Sequence, residues 1–449
     1  MSTNPLNPSD KSEYAKRRKR LIKAVGRKTA VLVPAATELI RNNDNPYPFR
    51  QASDFLYLTG LVEPEALLVL CPKRPEGEMI LFVAPQDPER ARWDGPRAGL
   101  EGARRIYGAD QAFALNEMDE RLPELLAGYE RVTLPFADQE LMLHMLGWLD
   151  ELRQKARSGV VPPQTLKDLA EPLHELRLIK SAVEITKMRR AAAISAEAHR
   201  RAASAIAEDM FEFELAAQLQ RVFYQHHGEP SFAPIVASGS NACVLHYRAN
   251  ESRLEAGQLV LIDAGAEIEQ YAGDITRVWP VDGVFSKPQR AVYELVLAAQ
   301  LAAIAEIRPG VAFDGPHEVA VRIIAQGLLD LGLVTGSLNE VLESGSYKRF
   351  FMHRTGHWLG LDVHDVGRYK IDGAWRELEP GMVLTVEPGI YIDVAEDIPK
   401  AYRGIGIRIE DDVLVTPKGH EVLTHDVPKT VADIEAFMGA TKARLRLDV

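Results

Sequence analysis

Short, continuous apolar runs alternate along the chain with longer stretches in which apolar residues recur every three or four positions. The runs are typical of buried strands, and the longer period is typical of helices that bury one face. In the first part of the chain, the predicted strands cover residues 30–34, 66–71, 79–83 and 131–134. Predicted helices cover residues 115–126 and 137–155, and a further helical stretch ends at residue 178. We therefore predict a mixed α/β domain over residues 1–176.

A capping box formed by Ser181 and Glu184 predicts that a long helix begins just after this domain. Beyond it, strands are predicted over residues 258–266, 270–280, 383–392 and 405–415, and helices over residues 289–307 and 316–331. Several of the strands lie close enough together in the sequence to pair antiparallel. We therefore predict an α+β fold for the second domain, residues 177–449.

Composition and charge narrow the functional classes. The 449 residues include 53 basic and 64 acidic side chains, a net charge of −11 that argues against broad binding to nucleic acids or anionic membranes. No apolar stretch approaches the roughly 18 residues of a membrane-spanning helix, and the amino terminus has no apolar signal core. Because the cysteines are only Cys71 and Cys243, neither a disulfide framework nor a thiolate metal site is predicted. We expect a cytoplasmic protein.

A basic run at residues 16–20 departs from this acidic balance. Tyr14, Leu21 and Val25 recur around the run at helical spacing. We predict that the run is the solvated face of an amphipathic amino-terminal helix, and not a nucleic-acid-binding patch.

Two aspartates stand in a predicted hairpin. Asp263 closes the apolar run 259–262, and Asp274 lies in the strand that follows. A tight turn centred on Ile268 and Glu269 places Asp263 directly opposite Asp274, with Cβ atoms about 4.5–5.5 Å apart. Two buried carboxylates at that distance need a shared proton or a cation. The alternative is a register that separates them and leaves Asp263 an ordinary strand-end residue.

Two glutamates occupy similar settings near the end of the chain. Glu387 follows one apolar strand and precedes a Pro-Gly turn, and Glu410 follows a second apolar strand. Unpaired glutamates are seldom buried among such neighbours. Arg408 lies two residues before Glu410 and points to the same face, either as the partner of a ligating carboxylate or in a purely structural ion pair. These residues alone leave both interpretations open.

Histidines crowd one short segment at His353, His357 and His364. The first two have the spacing of a zinc-protease helix, but Arg354 stands where that motif needs a glutamate, and a nearby glycine disfavours a helix. The zinc-protease class is therefore excluded, whereas the crowding beside glycine-rich turns still indicates a functional site. His246 is a weaker candidate by itself.

Four carboxylates and one imidazole form an oxygen-rich set of metal ligands. Such a set suits Mn²⁺, Mg²⁺ or Co²⁺ better than a structural zinc, which favours thiolates and imidazoles. Two divalent cations would neutralise the charge of the four carboxylates. The set therefore favours a two-metal site, with ions about 3.5–4 Å apart that bridge an activated water.

The ordered ligand set resembles that of the dinuclear pita-bread metallopeptidases, the superfamily of methionine aminopeptidase, prolidase, aminopeptidase P and creatinase. In this chain the set is Asp263, Asp274, His357, Glu387 and Glu410. The flanking sequences look most like the bacterial Xaa-Pro aminopeptidase (aminopeptidase P) family, in Asp274-Ile-Thr-Arg277, His357-Trp-Leu-Gly-Leu-Asp-Val-His364-Asp-Val-Gly367, Thr385-Val-Glu387-Pro-Gly and Gly404-Ile-Gly-Ile-Arg-Ile-Glu410. The amino-terminal part resembles the same family in Pro48-Phe-Arg-Gln-Ala-Ser-Asp54-Phe-Leu-Tyr-Leu-Thr-Gly60 and Glu63-Pro-Glu-Ala.

The resemblance implies a pita-bread catalytic domain that follows an aminopeptidase P amino-terminal domain. It implies a metal-dependent aminopeptidase that releases the residue preceding a proline in second position, by attack of a metal-bridging hydroxide, with two Mn²⁺ ions per chain. Asp274 and Glu410 would bridge the ions. Asp263 would complete the shell of one ion, and His357 with Glu387 the shell of the other.

The resemblance also implies roles in catalysis and substrate binding. Glu387 would accept the proton of the bridging water, and Arg408 would hold a ligating aspartate in its orientation. His246, His353 and His364 would line the cleft, orient the peptide, stabilise the tetrahedral intermediate and pass a proton to the leaving proline nitrogen.

Two residues bear on substrate choice and assembly. Arg354 directly follows His353, at a position where the resemblance leads us to expect a glycine in many relatives, and an arginine there would alter substrate preference. Trp93 resembles a family tryptophan that reaches a neighbouring subunit's cleft, and its alternative is a simple position in the core. The resemblance implies a homo-oligomer, most often a tetramer, whose partners are peptides with amino-terminal Xaa-Pro and neither nucleic acid nor membrane.

Two other functions compete with this one. Prolidase uses the same ligands but cleaves only dipeptides, and the block at residues 48–60 together with the Trp-Leu-Gly-Leu-Asp run favours the aminopeptidase. A metal-free peptide-binding protein on the same fold would have lost ligands, whereas all five are present.

Overall fold

The structure is a computed structural model that describes residues 8–447. Residues 1–7 and 448–449, the outer ends of the two predicted domains, lie outside the described residues. The chain divides into two compact units between Arg177 and Leu178. The predicted boundary near residue 176 lies in the helix Ala170–Leu178.

The amino-terminal unit contains a mixed six-stranded sheet. The strands of this unit are β1 (Thr29–Pro34), β2 (Ile40–Asn42), β3 (Asn45–Pro46), β4 (Leu67–Leu70), β5 (Met79–Val83), β6 (Gln111–Ala114), β7 (Arg131–Leu134) and β8 (Thr165–Asp168). The strands β2 and β3 pair with each other outside the six-stranded sheet. The helices of this unit are α1 (Pro8–Val25), α2 (Ser53–Thr59), α3 (Ala91–Asp94), α4 (Gly99–Arg105), α5 (Met118–Leu126), α6 (Gln139–Gln154) and α7 (Ala170–Leu178). The sheet order is β6-β5-β4-β1-β7-β8; β4 runs antiparallel to both neighbours, and the other three pairs are parallel.

The four strands predicted for this unit are present, and they form its core. Leu32, Val69, Phe82 and Val132, one from each of them, are fully buried together with Trp148 of α6. Continuous apolar runs therefore marked strands covered on both faces, as expected for a sheet flanked by helices.

The basic run at residues 16–20 lies in α1, but the prediction that the whole run is solvated is wrong. Arg17 and Arg18 are buried, and the other three side chains are exposed. Arg17 donates to the carbonyl oxygen of Tyr57 (3.2 Å), and Arg18 donates to that of Leu58 (2.7 Å). These carbonyls belong to the last turn of α2, where a helix has no partners of its own for them. The two arginines therefore cap α2.

The carboxyl-terminal unit combines several small sheets with long helices. Its strands are β9 (Glu229–Pro230), β10 (Ile235–Ser238), β11 (Leu259–Asp263), β12 (Ala266–Ile268), β13 (Tyr271–Ala272), β14 (Thr276–Pro280), β15 (Lys370–Ile371), β16 (Ala374–Trp375), β17 (Val383–Val386), β18 (Gly389–Ile392), β19 (Ile405–Arg408), β20 (Asp411–Thr416) and β21 (Gly419–Val422). Its helices are α8 (Ala182–Ala205), α9 (Glu212–Gln225), α10 (Lys287–Glu306), α11 (Gly315–Asp330), α12 (Leu338–Ser344) and α13 (Val431–Leu447).

The strands of this unit pair antiparallel, as β10-β11-β14, β13-β12-β9, β17-β20-β21, β18-β19 and β15-β16. The predicted α+β class is therefore confirmed, and the capping box of Ser181 and Glu184 begins α8 as predicted. No helix within residues 8–447 is both long and apolar enough to cross a membrane.

All four strands predicted for this unit are interrupted. The strand predicted over 258–266 is split into β11 and β12, and that over 270–280 is split into β13 and β14. Two further breaks lie at glutamates: the strand predicted over 383–392 is split into β17 and β18, and that over 405–415 is split into β19 and β20. Of these two breaks, the first contains Glu387 and Pro388, and the second contains Ile409 and Glu410. Proline has no N–H group to give to a ladder, so the first break has a local cause.

The register predicted for the hairpin at Asp263 is wrong. The turn residues are Glu269 and Gln270, with φ values of 51° and 64°, instead of Ile268 and Glu269. A β-branched isoleucine strongly disfavours positive φ, which shifts the turn by one residue. Asp263 consequently lies opposite Thr276. The two aspartates are not paired across the ladder, because Asp274 lies between β13 and β14.

Candidate metal centre

Four carboxylates lie at strand ends and face one cavity of about 660 Å³. Asp263 ends β11, and Asp274 lies just before β14. Glu387 follows β17, and Glu410 immediately precedes β20. Asp263, Asp274 and Glu410 are buried, and Glu387 is partly buried. The interruptions of the strands therefore occur where acidic side chains are brought together.

His357 completes this group. Its Nε2 atom lies 3.6 Å from Asp274 Oδ2 and 3.6 Å from Glu387 Oε1. One ligand atom each from Asp274, His357 and Glu410 lies within 4.8 Å of the others. The Nδ1 atom lies 3.0 Å from the carbonyl oxygen of Trp358, so Nδ1 carries the proton and the lone pair of Nε2 faces the carboxylates.

The electrostatics of the cluster are unfavourable without cations. Burial and the neighbouring Glu410 raise the pKa of Asp274 well above its ordinary value, and burial and Glu387 do the same to the pKa of Glu410. Burial raises the pKa of Glu387 to about 7 and lowers the pKa of His357 to about 4. The protein alone therefore disfavours the charged forms of these groups, and nearby divalent cations would reverse that preference for the acids.

The atoms available in the cluster fit divalent cations. Asp263 Oδ1 and Asp274 Oδ1 are buried and have no hydrogen-bond partner within the described part of the chain. Buried carboxylate oxygens are normally hydrogen-bonded or bound to a metal. Carboxylate oxygens together with one neutral imidazole nitrogen are donors that Mn²⁺, Mg²⁺ or Co²⁺ accept.

A chain of hydrogen bonds connects Asp263 to His353. Arg408 donates from Nη2 to Asp263 Oδ2 (2.5 Å) and from Nη1 to the hydroxyl oxygen of Tyr391 (2.9 Å). The Nδ1 atom of His353 lies 2.7 Å from the carbonyl oxygen of Arg354 and therefore carries the proton. His353 Nε2 then accepts from the Tyr391 hydroxyl (2.8 Å). Tyr391 was missed by the sequence analysis, because an apolar strand such as β18 gives no signal for one functional hydroxyl.

His246 and His364 line the cavity with fewer constraints. The His364 ring packs edge-on against the ring of His357, with centroids 4.2 Å apart, and burial lowers the pKa of His364. His246 lies in the loop between β10 and β11 and is exposed to the cavity. Neither imidazole has a hydrogen-bond partner among residues 8–447, so both can bond to a substrate.

Glu212 is a second residue that the sequence analysis missed. It is fully buried at the start of α9. Its Oε1 accepts from the Ser238 amide (2.6 Å), the Ser238 hydroxyl (2.7 Å) and Asn241 Nδ2 (3.0 Å). Its Oε2 accepts from the Tyr247 hydroxyl (2.9 Å) and the Ser252 amide (3.0 Å). This carboxylate organises the loop that carries His246, and an acid in a first helical turn is too common to indicate it.

Two buried ion pairs stabilise the segments next to Glu410 and His364. Arg277 is fully buried, pairs with Asp411 (2.8 Å) and donates to the carbonyl oxygen of Glu410 (2.5 Å). Lys180 pairs with Asp365 (2.9 Å), the residue after His364. Such pairs fix geometry because removing one partner leaves a buried charge uncompensated.

Trp93 lies in the short helix α3 of the amino-terminal unit and is 88% exposed. The alternative that it is a simple core residue is therefore wrong.

Two family models match the chain. Residues 186–417 match the model of metallopeptidase family M24, and residues 14–134 match the model of the aminopeptidase P amino-terminal domain. The first match spans more than half of the chain and includes all five predicted metal ligands. The chain belongs to metallopeptidase family M24.

Solved structures and curated sequences place this M24 metallopeptidase among the aminopeptidases P. The Xaa-Pro aminopeptidase of Haemophilus influenzae is 43% identical over 95% of this chain and 97% of its own. The structure of Pseudomonas aeruginosa aminopeptidase PepP is 50% identical, covers 96% of this chain and 99% of its own, and has a TM-score of 0.94. Escherichia coli aminopeptidase P with the inhibitor Pro-Leu is 42% identical, covers the same shares and has a TM-score of 0.93.

These matches confirm the predicted family, the pita-bread fold and the predicted class of enzyme. This M24 metallopeptidase is a hydrolase of the Xaa-Pro aminopeptidase type, and its family uses divalent metal ions.

Proposed function

We propose that this enzyme releases the amino-terminal residue from peptides with proline in the second position and that it binds two Mn²⁺ ions. The observation that carries the proposal is the convergence of the five predicted ligands on one cavity. Relatives that align with this chain along nearly their full lengths are named Xaa-Pro aminopeptidases, and these names support the substrate class.

Five side chains would hold the ions: Asp263, Asp274, His357, Glu387 and Glu410. When bound, divalent cations would neutralise the acids and would make a bound water acidic enough to ionise near neutral pH. Glu387 would accept the proton of that water, because its carboxylate lines the cavity and accepts only a long hydrogen bond, from the Thr385 hydroxyl (3.3 Å), among the described residues. Arg408 keeps Asp263 in a fixed orientation through their direct hydrogen bond.

The three cleft histidines divide into two kinds. His246 and His364 face the cavity, and neither has a hydrogen-bond partner within residues 8–447. They are our candidates to stabilise the developing oxyanion and to protonate the leaving proline nitrogen. Both nitrogens of His353 are engaged, with the Arg354 carbonyl and with Tyr391. His353 is therefore our candidate to orient the substrate as part of a fixed wall.

Recognition of proline has to come from shape, because the peptide nitrogen of proline carries no hydrogen to donate. The cavity offers an apolar wall that includes Phe232, Ile235, Leu245 and Val363. An apolar wall beside a few polar groups is the usual construction of a small-molecule pocket. We propose that the pyrrolidine ring packs on this wall. The scissile carbonyl group, which belongs to the residue before the proline, then faces the metal centre.

We also propose the finer features that the resemblance implies. The protein acts in the cytoplasm as a homo-oligomer, a tetramer by resemblance, in which Trp93 enters a neighbouring subunit's cleft. The 88% exposure of this large aromatic side chain leaves it available to a partner, whereas tryptophan side chains are highly buried on average.

The test compares three substrates with the manganese-loaded enzyme: an Xaa-Pro-Xaa tripeptide, the matching Xaa-Pro dipeptide, and a tripeptide with alanine in place of proline. We expect fast hydrolysis of the first, slower hydrolysis of the second and little of the third. A strict preference for the dipeptide would transfer the function to prolidase. Peptide binding without any hydrolysis would favour the binding-protein alternative.

A further inference from the structure

Arg354 is a cleft residue to which the proposed mechanism assigns no role. It directly follows His353, and its carbonyl oxygen accepts the hydrogen bond from His353 Nδ1. Its side chain is 47% exposed and lines the same cavity as the metal-centre residues. A guanidinium group that solvent and substrate can reach therefore lies on the wall of the peptide cleft.

Two contacts hold this guanidinium in place. One edge forms an ion pair with Asp314, which immediately precedes α11. One face lies over the ring of Trp375, with Cζ 4.7 Å from the ring centroid. Stacking and pairing restrict the rotamers of a long side chain before any ligand arrives. Arg354 therefore loses little conformational freedom when it binds a further partner.

The guanidinium keeps donors for such a partner. It has five N–H groups, and its ion pair with Asp314 involves Nη2 alone. Arg408, deeper in the cavity, is already engaged by Asp263, Thr276 and Tyr391. Arg248 also lines the cavity, but no ion pair or aromatic ring holds its side chain within the described residues. Arg354 is thus the preorganised cation of the cleft.

Charge determines which part of a peptide this cation accepts. The free amino terminus of a substrate is positive, so Arg354 repels it and is unsuited to the amino-terminal subsite. A planar guanidinium matches a carboxylate, which accepts two parallel N–H groups. We propose that Arg354 is a specificity-determining residue that binds a peptide carboxylate on the leaving-group side of the scissile bond. This inference rests on the proposed function.

The carboxylate can belong to the carboxyl terminus of a short peptide or to an acidic side chain. Two matched substrate pairs distinguish these sources: Xaa-Pro-Ala as the free acid and as the amide, and amidated Xaa-Pro-Asp beside amidated Xaa-Pro-Asn. The measured quantity is the ratio of kcat/KM within each pair. For at least one pair we expect a ratio of about 10 to 100 in favour of the carboxylate, as charge-assisted hydrogen bonds provide.

Arg354→Gln should bring that ratio to about 1. The control is Arg248→Gln, which removes a charge from the same cavity and should leave the ratio within about twofold of its value in the unmodified enzyme. Because the ratio is taken within one variant, a general loss of activity cancels. Asp314→Asn removes the competing anion and should raise the ratio, which keeps the test informative if Arg354→Gln folds poorly.

Equal cleavage within both pairs by the unmodified enzyme would overturn the inference, as would a ratio that survives Arg354→Gln or falls in Asp314→Asn. These outcomes leave the proposed function intact. The proposed function fails separately, if the manganese-loaded enzyme cleaves none of the four peptides.

Discussion

Glu387 and Glu410 lie directly opposite each other in a gap of one antiparallel ladder. The register is the same on both sides of the gap, and the flanking pairs are Val386 with Asp411 and Gly389 with Arg408. Residues directly opposite in an antiparallel pair send their side chains to the same face. The preserved register therefore aims both carboxylates into the cavity.

The gap exists because the two glutamate amides bond elsewhere. Glu387 N–H donates to the carbonyl oxygen of Thr355 (2.8 Å), and Glu410 N–H donates to that of Thr276 (3.1 Å). The first bond attaches the segment that carries His357, and the second attaches β14, which follows Asp274. One interruption of a hairpin thus joins three segments that carry proposed ligands.

Glu410 and His364 should differ in their effect on metal content. Glu410→Ala should lose metal and activity together, because it removes a proposed ligand whose oxygen lies within 4.8 Å of ligand atoms of Asp274 and His357. His364→Ala should keep its metal and lose about 10²–10⁴-fold in kcat if the imidazole transfers a proton. Elemental analysis beside steady-state kinetics checks both expectations. Equal loss of metal in the two variants would show that the roles are assigned wrongly.

Glu212 should act on catalysis through His246. Glu212→Ala leaves five donors without their acceptor and frees the loop that carries His246, so we expect a fall in kcat of about tenfold or more with metal content retained. Glu212→Gln should fall less, because it retains one acceptor oxygen.

The double variant with His246→Ala isolates this route. If Glu212 works through His246, the losses in kcat should be far from additive. Additive losses would show that Glu212 contributes to stability alone, and a thermal melt of each variant supplies the folding control.

His199 should make the protein sensitive to acid. It is fully buried in α8, and its Nε2 donates to the carbonyl oxygen of Ala264 (2.9 Å). Burial lowers its pKa to about 4 from an ordinary value of 6.5. Because the unfolded chain binds this proton first, the stability that His199 contributes is complete above pH 6.5 and is lost as the pH falls towards 4.

The corresponding variant is His199→Gln, which can still donate a hydrogen bond but does not titrate. Between pH 7 and pH 5 the unmodified protein should lose about 2 kcal/mol more unfolding free energy than the variant. Denaturant unfolding at the two pH values measures the difference. Identical losses would mean that His199 is already charged in the folded protein.

Trp93→Ala should affect long substrates and leave the metal centre intact. If its exposed ring forms part of a neighbouring subunit's cleft, KM should rise for longer peptides and change little for an Xaa-Pro dipeptide. Native mass measurement should report an oligomer, which the resemblance predicts to be a tetramer. A monomer with full activity at the assay concentration would contradict the shared cleft.

The chemistry of the candidate site could be predicted from the sequence. The residue types of the five proposed ligands, their order and the setting of the acids at the ends of apolar strands were readable, because burial of an acid among apolar neighbours demands compensation wherever the strand lies. The buried strands of the amino-terminal unit and the start of α8 were also readable, since periodicity and capping depend on residues close together in the chain.

Tertiary structure decided the geometry. It moved the hairpin turn to Glu269 and Gln270, opened the gap at Glu387 and Glu410, and recruited Tyr391. Each outcome follows from competition between backbone or side-chain hydrogen bonds that join residues far apart in sequence. Side-chain chemistry is a property of each residue, whereas register and hydrogen-bond partners are properties of the packed chain, and only the fold selects among them.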